Sequence, residues 1–130
     1  GYAVASQEII SLLNRVREPF NVNSLAQAGA MAALGDTDHL EQSKRLNNQG
    51  LLYLQKELSD LGIDYTESYC NFILIDLKQD PISVYNELLK LGVIVRPVGG
   101  YGLKTHLRVS IGKQSENEKF IESIKKVLKI

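Results

Sequence analysis

Two arginines in one short segment are the residues of this sequence best suited to chemistry. In residues 92–112, GVIVRPVGGYGLKTHLRVSIG, Arg96 closes one apolar run and Arg108 lies inside the next. Because side chains alternate along a strand, both guanidiniums can project from one face if the runs pair as a hairpin. Two adjacent guanidiniums repel, and a carboxylate or phosphate held between their planar forks relieves that repulsion. Alternatively, each arginine pairs with a nearby acid or lies on a solvated edge.

The connection between these two runs is rich in glycine. Residues 98–105 contain three glycines, so the backbone there can approach a ligand or a second domain closely. These glycines follow a proline and do not open a helix, so they do not resemble a phosphate-binding loop.

The histidines and the cysteine offer less chemistry. His39 has no second histidine or carboxylate cluster at metal-ligand spacing, so we expect no metal site and treat it as a surface or packing residue. We expect His106 to point away from the face that carries Arg108. Cys70 precedes an apolar strand and is predicted to be a small buried residue.

The composition limits the classes of protein and partner. The chain has 130 residues, 44% of them hydrophobic and 23% charged, which suits about one soluble domain. Fifteen basic and fifteen acidic residues give no net charge, so nothing favours nucleic acid as a partner. No apolar run approaches the ~18 residues that cross a membrane. One cysteine excludes an internal disulfide and favours a reducing compartment, the cytoplasm.

Two helices are predicted before residue 36. Residues 2–5 resemble the end of a strand, and the chain begins without Met, so we interpret it as a piece of a longer protein. Ser6 is expected to cap a helix over residues 8–16, and Ser24 an alanine-rich helix over residues 24–34 that presents an apolar surface.

The remaining residues predict the order α-β-β-α-β-β-α. A third helix starts near Asp36 or Asp38, with Asp38 and Glu41 as a candidate capping pair, and runs to about residue 61. Strands follow in residues 63–68 and 70–77. Asp80-Pro81 begins the next helix, then come strands 93–97 and 106–111, and Ser115 with Glu118 caps the last helix. The expected buried positions are Leu51, Leu54, Leu58 and Leu61 in the third helix, Ile82, Tyr85, Leu88 and Leu89 in the fourth, and Phe120, Ile121, Ile124, Val127 and Leu128 in the last. This order predicts an α+β fold, a mostly antiparallel sheet with helices packed on one face.

Three segments carry a resemblance to a known family. The segments are, in this order, VREPFNVNSLAQAGAMAAL, NFILIDL and LGVIVRPVGGYGLKTHLRVSIG. Together they resemble histidinol-phosphate aminotransferases, which are fold-type I enzymes that use pyridoxal phosphate. The opening GYAVAS is similar to the stretch that follows the cofactor lysine in that family. None of the ten lysines lies in the family's Ser-Lys context. The resemblance therefore implies that the Schiff-base lysine and the cofactor's ligands lie upstream, and that this chain alone binds no cofactor and is inactive.

The resemblance also implies domains, partners and site residues. Residues 1–35 correspond to the end of the large cofactor-binding domain and a connector, and residues 36–130 to the complete small C-terminal domain. Arg108 matches the arginine that binds the anionic end of the substrate, and Arg96 matches a second arginine that helps to hold the phosphate of histidinol phosphate. The implied reaction transfers an amino group between L-histidinol phosphate and 2-oxoglutarate in a homodimeric enzyme. Asn21 and Asn23 match the family but receive no role.

Two alternatives stay open at this point. One is a related pyridoxal phosphate enzyme, either an aromatic aminotransferase or a threonine-phosphate decarboxylase. The two arginines would suit the chemistry of these enzymes equally well. The other is a free-standing α+β module that binds an anionic metabolite through Arg96 and Arg108, although such a module would not need residues 1–35.

Overall fold

The secondary structure follows the predicted order from residue 36 onward. The computed structural model describes residues 2–130. The helices are α1 (Gln7–Val16), α2 (Ser24–Gly35), α3 (Thr37–Asp60), α4 (Pro81–Lys90) and α5 (Gln114–Leu128), and the strands are β1 (Asp64–Thr66), β2 (Phe72–Asp76), β3 (Arg96–Pro97) and β4 (His106–Ser110). Residues 2–5, predicted to be a strand end without a partner in this chain, form no strand with any described segment.

The chain divides into two compact units, Gly1–His39 and Leu40–Ile130. In the first unit, Ser6 caps α1 as predicted, since its hydroxyl accepts a hydrogen bond from the Ile9 amide. The cap of α2 is Asn23 rather than Ser24, because Asn23 Oδ1 accepts from the Ala26 amide at 2.8 Å. No described residue of α1 or α2 is buried, and the exposed side chains include Leu25 and Met31. The expected apolar surface on α2 is therefore present.

Helix α3 is capped by Asp36, which is one of its two predicted starts. The His39 amide donates to Asp36 Oδ1 at 2.9 Å, so the expected capping pair of Asp38 and Glu41 is wrong. Leu54 and Leu58 are fully buried, as predicted, while Leu51 and Leu61 are half-buried.

The four strands form one antiparallel sheet in the order β1-β2-β4-β3. Alternate side chains divide the sheet into a packed face and an open face. The packed face carries Ile73, Ile75, Leu107 and Val109, which lie in the same core as buried residues of α3, α4 and α5. The helices of the second unit thus cover one face of the sheet, which confirms the predicted α+β architecture.

Helix α4 has the predicted start and part of the predicted buried face. Both Asp80 carboxylate oxygens accept amide hydrogen bonds, at 3.1 and 3.2 Å, and Pro81 is the first helical residue. Leu88 is fully buried and Tyr85 is half-buried against the core, as predicted, whereas Ile82 is 50% and Leu89 38% exposed. Pro81 and Val84 are buried in their place, so the buried stripe is rotated slightly from the predicted one.

Helix α5 is anchored by a polar contact that the sequence pattern did not indicate. The predicted Ser115–Glu118 capping box is wrong, because the Lys113 amide donates to Glu116 Oε2 at 2.7 Å. Asn117 is 2% exposed, and its side-chain amide accepts from the Gly112 amide at 2.9 Å and donates to the Gly112 carbonyl at 3.1 Å. Phe120, Ile121 and Ile124 are buried, as predicted.

A close approach at Gly50 gives the first testable prediction. A Cβ at this position would lie 2.6 Å from Ile111 Cγ2 and 2.7 Å from Asn117 Nδ2. We expect Gly50→Ala to lower the free energy of unfolding by about 1–2 kcal/mol, because overpacking outweighs the gain in helix propensity. Urea unfolding followed by far-UV circular dichroism measures the change.

Gly29 in α2 is the matched control, since nothing lies within 4 Å of its Cβ position. We expect Gly29→Ala to stabilise by about 0.5–1 kcal/mol. Equal shifts in the same direction for the two variants would contradict the steric explanation.

Candidate functional site

The two arginines face each other across the predicted hairpin. Arg96 in β3 and Arg108 in β4 are direct partners in the antiparallel register. Side chains of directly opposed residues project from the same face, with Cβ atoms roughly 4.5–5.5 Å apart. The structure therefore places both guanidinium groups on the open face of the sheet, Arg96 exposed and Arg108 half-buried.

Neither arginine is neutralised within the part of the chain that the structure describes. None of the ion pairs among residues 2–130 includes Arg96 or Arg108. Like charges directly opposite each other on a sheet are destabilising. This excludes the alternative of local acid partners within residues 2–130, although Arg96 does lie on a solvated edge. The arrangement is suited to an anion with several oxygen atoms.

An aromatic ring lies beside Arg108. The guanidinium carbon of Arg108 is 5.3 Å from the centroid of the Phe72 ring. Phe72 opposes Ser110, so it is the diagonal cross-strand neighbour of Arg108 on the open face. Residue types alone did not single out Phe72, since this contact depends on the register between β2 and β4.

A second charged row crosses the open face next to the arginines. Lys78 Nζ lies 2.7 Å from Asp76 Oδ2 and 3.1 Å from Asp64 Oδ2. The hydrogen bond from Lys78, followed by one from Thr105, holds the pKa of the Asp76 carboxyl well below its usual range, and these carboxylates raise the pKa of Lys78. Asp76 therefore remains ionised at neutral pH, and Lys78 balances its charge.

His106 belongs to this second row, which corrects its predicted orientation. It opposes Asp76 in the register, and its Nε2 lies 3.8 Å from Asp76 Oδ2. His106 and Arg108 are two residues apart in β4, so they share the open face rather than pointing to opposite faces. His106 thus lies near the arginines, with a carboxylate and the Thr105 hydroxyl as its neighbours.

The glycine-rich connection forms a short 3₁₀ turn at Gly99–Tyr101. Gly102 follows it with φ +83°, a left-handed conformation that favours glycine. Cβ atoms at Gly99 and Gly100 would meet nothing within 4 Å, and Tyr101 is 75% exposed. The turn therefore presents open backbone next to the arginine hairpin.

The remaining candidate residues are Cys70 and His39. Cys70 is exposed, so its predicted burial is wrong: it lies just before β2 in a turn over a cleft of about 650 Å³ that Asn47 and Gly112 also line. The arginines do not line this cleft. His39 belongs to the first unit, and residues 2–130 contain no group of three or more His, Cys, Asp or Glu side chains that could hold a metal.

The lysines of residues 2–130 do not fit the attachment of an aldehyde cofactor. A lysine that forms a Schiff base needs a lowered pKa so that its amine is neutral. Carboxylates instead raise the pKa of Lys56, bonded to Asp60, and of Lys78. Lys125 is half-buried and lies 3.6 Å from Glu57, and the other described lysines are exposed. No step that depends on such a cofactor can therefore be derived from these residues.

Within residues 2–130, no helix combines the length and apolarity that crossing a bilayer requires.

Comparisons with known proteins show the same likeness over nearly the whole chain. A sequence model of the family "Aminotransferase class I and II" matches residues 1–124. The chain is 53% identical over 128 residues to histidinol-phosphate aminotransferase 2 of Pseudomonas aeruginosa, and 45% identical to histidinol-phosphate aminotransferase of Caldicellulosiruptor saccharolyticus. These matches cover 98% of this chain and 35% and 36% of the relatives. The chain therefore spans about a third of the length of the curated relatives it matches.

Solved structures extend the likeness to the fold. Histidinol-phosphate aminotransferase from Clostridium acetobutylicum is similar with a TM-score of 0.85 at 27% identity, over 93% of this chain and 38% of that one. The enzyme from Sinorhizobium meliloti, in complex with pyridoxal-5'-phosphate, is similar in fold with a TM-score of 0.83 at 21% identity, over 92% of this chain and 33% of that one.

Proposed function

Because the chain belongs to the class I and II aminotransferases, we propose that it supplies the substrate-anion site of an enzyme that transfers an amino group between L-histidinol phosphate and 2-oxoglutarate in histidine biosynthesis. The observation that carries this proposal is the direct opposition of Arg96 and Arg108 without a carboxylate partner in residues 2–130. The similarity to histidinol-phosphate aminotransferases supports the choice of a phosphorylated amino alcohol.

Both arginines bind and orient the anionic end of the substrate. Arg108 is half-buried next to Phe72 and is the principal contact, because partial desolvation strengthens a charge-assisted hydrogen bond. Arg96 is exposed and contributes a second, weaker contact. Fixing the phosphate orients the amine at the other end of the molecule and lowers the barrier through positioning rather than through chemistry.

The remaining machinery lies outside this chain. Pyridoxal phosphate, which acts as an electron sink in amino transfer, is held by residues of the large domain that includes the Schiff-base lysine. Residues 1–35 end that large domain, and residues 36–130 form the small C-terminal domain. The full-length enzyme is a cytoplasmic homodimer, and the 130-residue chain alone binds no cofactor and is inactive. The similarity over about a third of the relatives' length supports this division.

Substrate comparison with the full-length enzyme tests the proposal. We expect kcat/KM for L-histidinol phosphate to exceed that for unphosphorylated L-histidinol by roughly 30- to 1,000-fold, because a charge-assisted contact to a half-buried guanidinium contributes about 2–4 kcal/mol. Phenylalanine is the third donor in the assay, with 2-oxoglutarate as the acceptor throughout.

Each other outcome has a distinct meaning. A preference for phenylalanine would indicate an aromatic aminotransferase. Release of carbon dioxide from threonine phosphate would indicate a decarboxylase. Transamination by the isolated 130-residue chain would contradict the division of labour described above.

A further inference from the structure

The contact between Phe72 and Arg108 is the one aromatic contact recorded for a guanidinium within residues 2–130. Across the strands, Arg108 has Arg96 directly opposite in β3, Leu74 directly opposite in β2, and Phe72 and Asp76 on the two diagonals. Arg96 repels the guanidinium and Leu74 provides only apolar surface. The Asp76 carboxylate is bound by Lys78 and forms no ion pair with Arg108, so the Phe72 ring, 5.3 Å away, is the attractive group in contact with the guanidinium.

The backbone that carries Phe72 is fixed independently of its ring. The Ser68 hydroxyl donates to the Phe72 carbonyl, and the Ile111 amide donates to the Asn71 carbonyl at 2.8 Å. The Asn47 side chain also donates to the Cys70 carbonyl at 3.2 Å. Because these bonds hold the start of β2, a change of the ring alters the surroundings of Arg108 without moving the strand.

We propose that Phe72 is a positioning residue for the anion site: its ring holds the Arg108 guanidinium in the orientation that binds the substrate's anionic group. A guanidinium held over a ring face loses rotational freedom, and its N–H groups that point away from the ring stay available to anion oxygens. The ring also offsets part of the repulsion from Arg96, which would otherwise turn Arg108 away. This inference rests on the proposed anion-binding role of Arg108 and adds the residue that preorganises it.

The test measures the binding of inorganic phosphate to the full-length holoenzyme by calorimetry. Four variants are compared with the native protein: Phe72→Leu, Phe72→Tyr, Leu74→Ala and Arg108→Ala. We expect Phe72→Leu to weaken phosphate binding about three- to fivefold and Phe72→Tyr to restore native affinity, because the tyrosine ring also attracts a cation. Leu74→Ala, which changes apolar packing next to Arg108 but leaves the ring, is expected to stay within twofold.

Two further measurements separate positioning from a general structural effect. In kinetics with histidinol phosphate, Phe72→Leu should raise KM by a similar factor and leave kcat nearly unchanged. In spectra of the holoenzyme with labelled arginine, the Arg108 Nε–H resonance should carry a ring-current shift that Phe72→Leu removes and Phe72→Tyr keeps.

The outcomes distinguish this inference from the proposed function. Native phosphate affinity in Phe72→Leu, or equal weakening in the leucine and tyrosine variants, would overturn the role of Phe72 alone. An equal loss of phosphate affinity in Leu74→Ala would also overturn the role of Phe72, because apolar packing around Arg108 would then explain the effect. Absence of phosphate binding by the native enzyme, or native affinity in Arg108→Ala, would overturn the anion site and this inference with it.

Discussion

Replacing Arg108 with alanine in the full-length enzyme is expected to lower kcat/KM for histidinol phosphate by roughly 30- to 1,000-fold while leaving that for histidinol within about threefold. The guanidinium is half-buried on the open face and has no carboxylate partner among residues 2–130. Losing a charge-assisted contact of this kind removes about 2–4 kcal/mol of binding, which corresponds to that range. Steady-state kinetics with both donors measures the difference, because only one donor carries the phosphate.

Two companion variants define what Arg108 does. Arg108→Lys should recover only part of the loss, because a lysine keeps the charge but lacks the planar fork that meets two oxygen atoms at once. Arg96→Ala should have a smaller effect, roughly tenfold, because Arg96 is exposed.

Arg45 is the matched control for loss of a positive charge. It is an exposed arginine on α3 in the same unit. Arg45→Ala should leave kcat/KM for both donors unchanged. If Arg108→Ala slowed both donors equally, Arg108 would act through the fold or another step rather than through the phosphate.

The second large effect concerns stability. We expect Asn117→Ala to lower the free energy of unfolding by about 2–4 kcal/mol, because it removes the partner of both the amide and the carbonyl of half-buried Gly112. The Asn117 side chain itself is 2% exposed. The side chain also fills space against Gly50, so its removal opens a gap as well. The midpoint and slope of urea unfolding give the value.

Asn86 on the exposed side of α4 is the control for this variant. Asn86→Ala should be neutral or slightly stabilising, since alanine is the better helix former. A loss below about 0.5 kcal/mol in Asn117→Ala would mean that water replaces the amide, and that the closure of α5 onto Gly112 is not a major source of stability.

The element order and the hairpin were predictable because they depend on local patterns. The Asp80-Pro81 start of α4, the apolar run of β2 and the alternation of β4 could each be identified from neighbouring residues alone. Asn23 competes with Ser24 as the cap of α2, and Asp36 competes with Asp38 as the cap of α3. The choice depends on where the preceding backbone turns into the helix. A local pattern therefore predicts that a helix exists more reliably than it predicts the residue at which the helix begins.

The contacts around the site depended on tertiary structure. The Phe72 ring meets Arg108 only because β2 pairs with β4 in this register, although the two residues lie 36 positions apart in the sequence. His106 could have been placed correctly from strand alternation alone, since it is two residues from Arg108. Cys70 is exposed because it lies in the segment before β2 rather than in the strand. The apolar run that follows it made it look like part of the buried strand.

The shortness of β3 gives the arginine pair a second physical role. β3 contains only Arg96 and Pro97, and proline has no amide hydrogen to donate, so this edge strand is held to the sheet by few backbone bonds. An anion that binds both guanidiniums is a non-covalent cross-link between the edge strand and β4. Ligand binding and ordering of the edge are therefore thermodynamically linked, and each strengthens the other by the same factor. The concentration of substrate then becomes one of the variables that sets how firmly this edge of the sheet is formed.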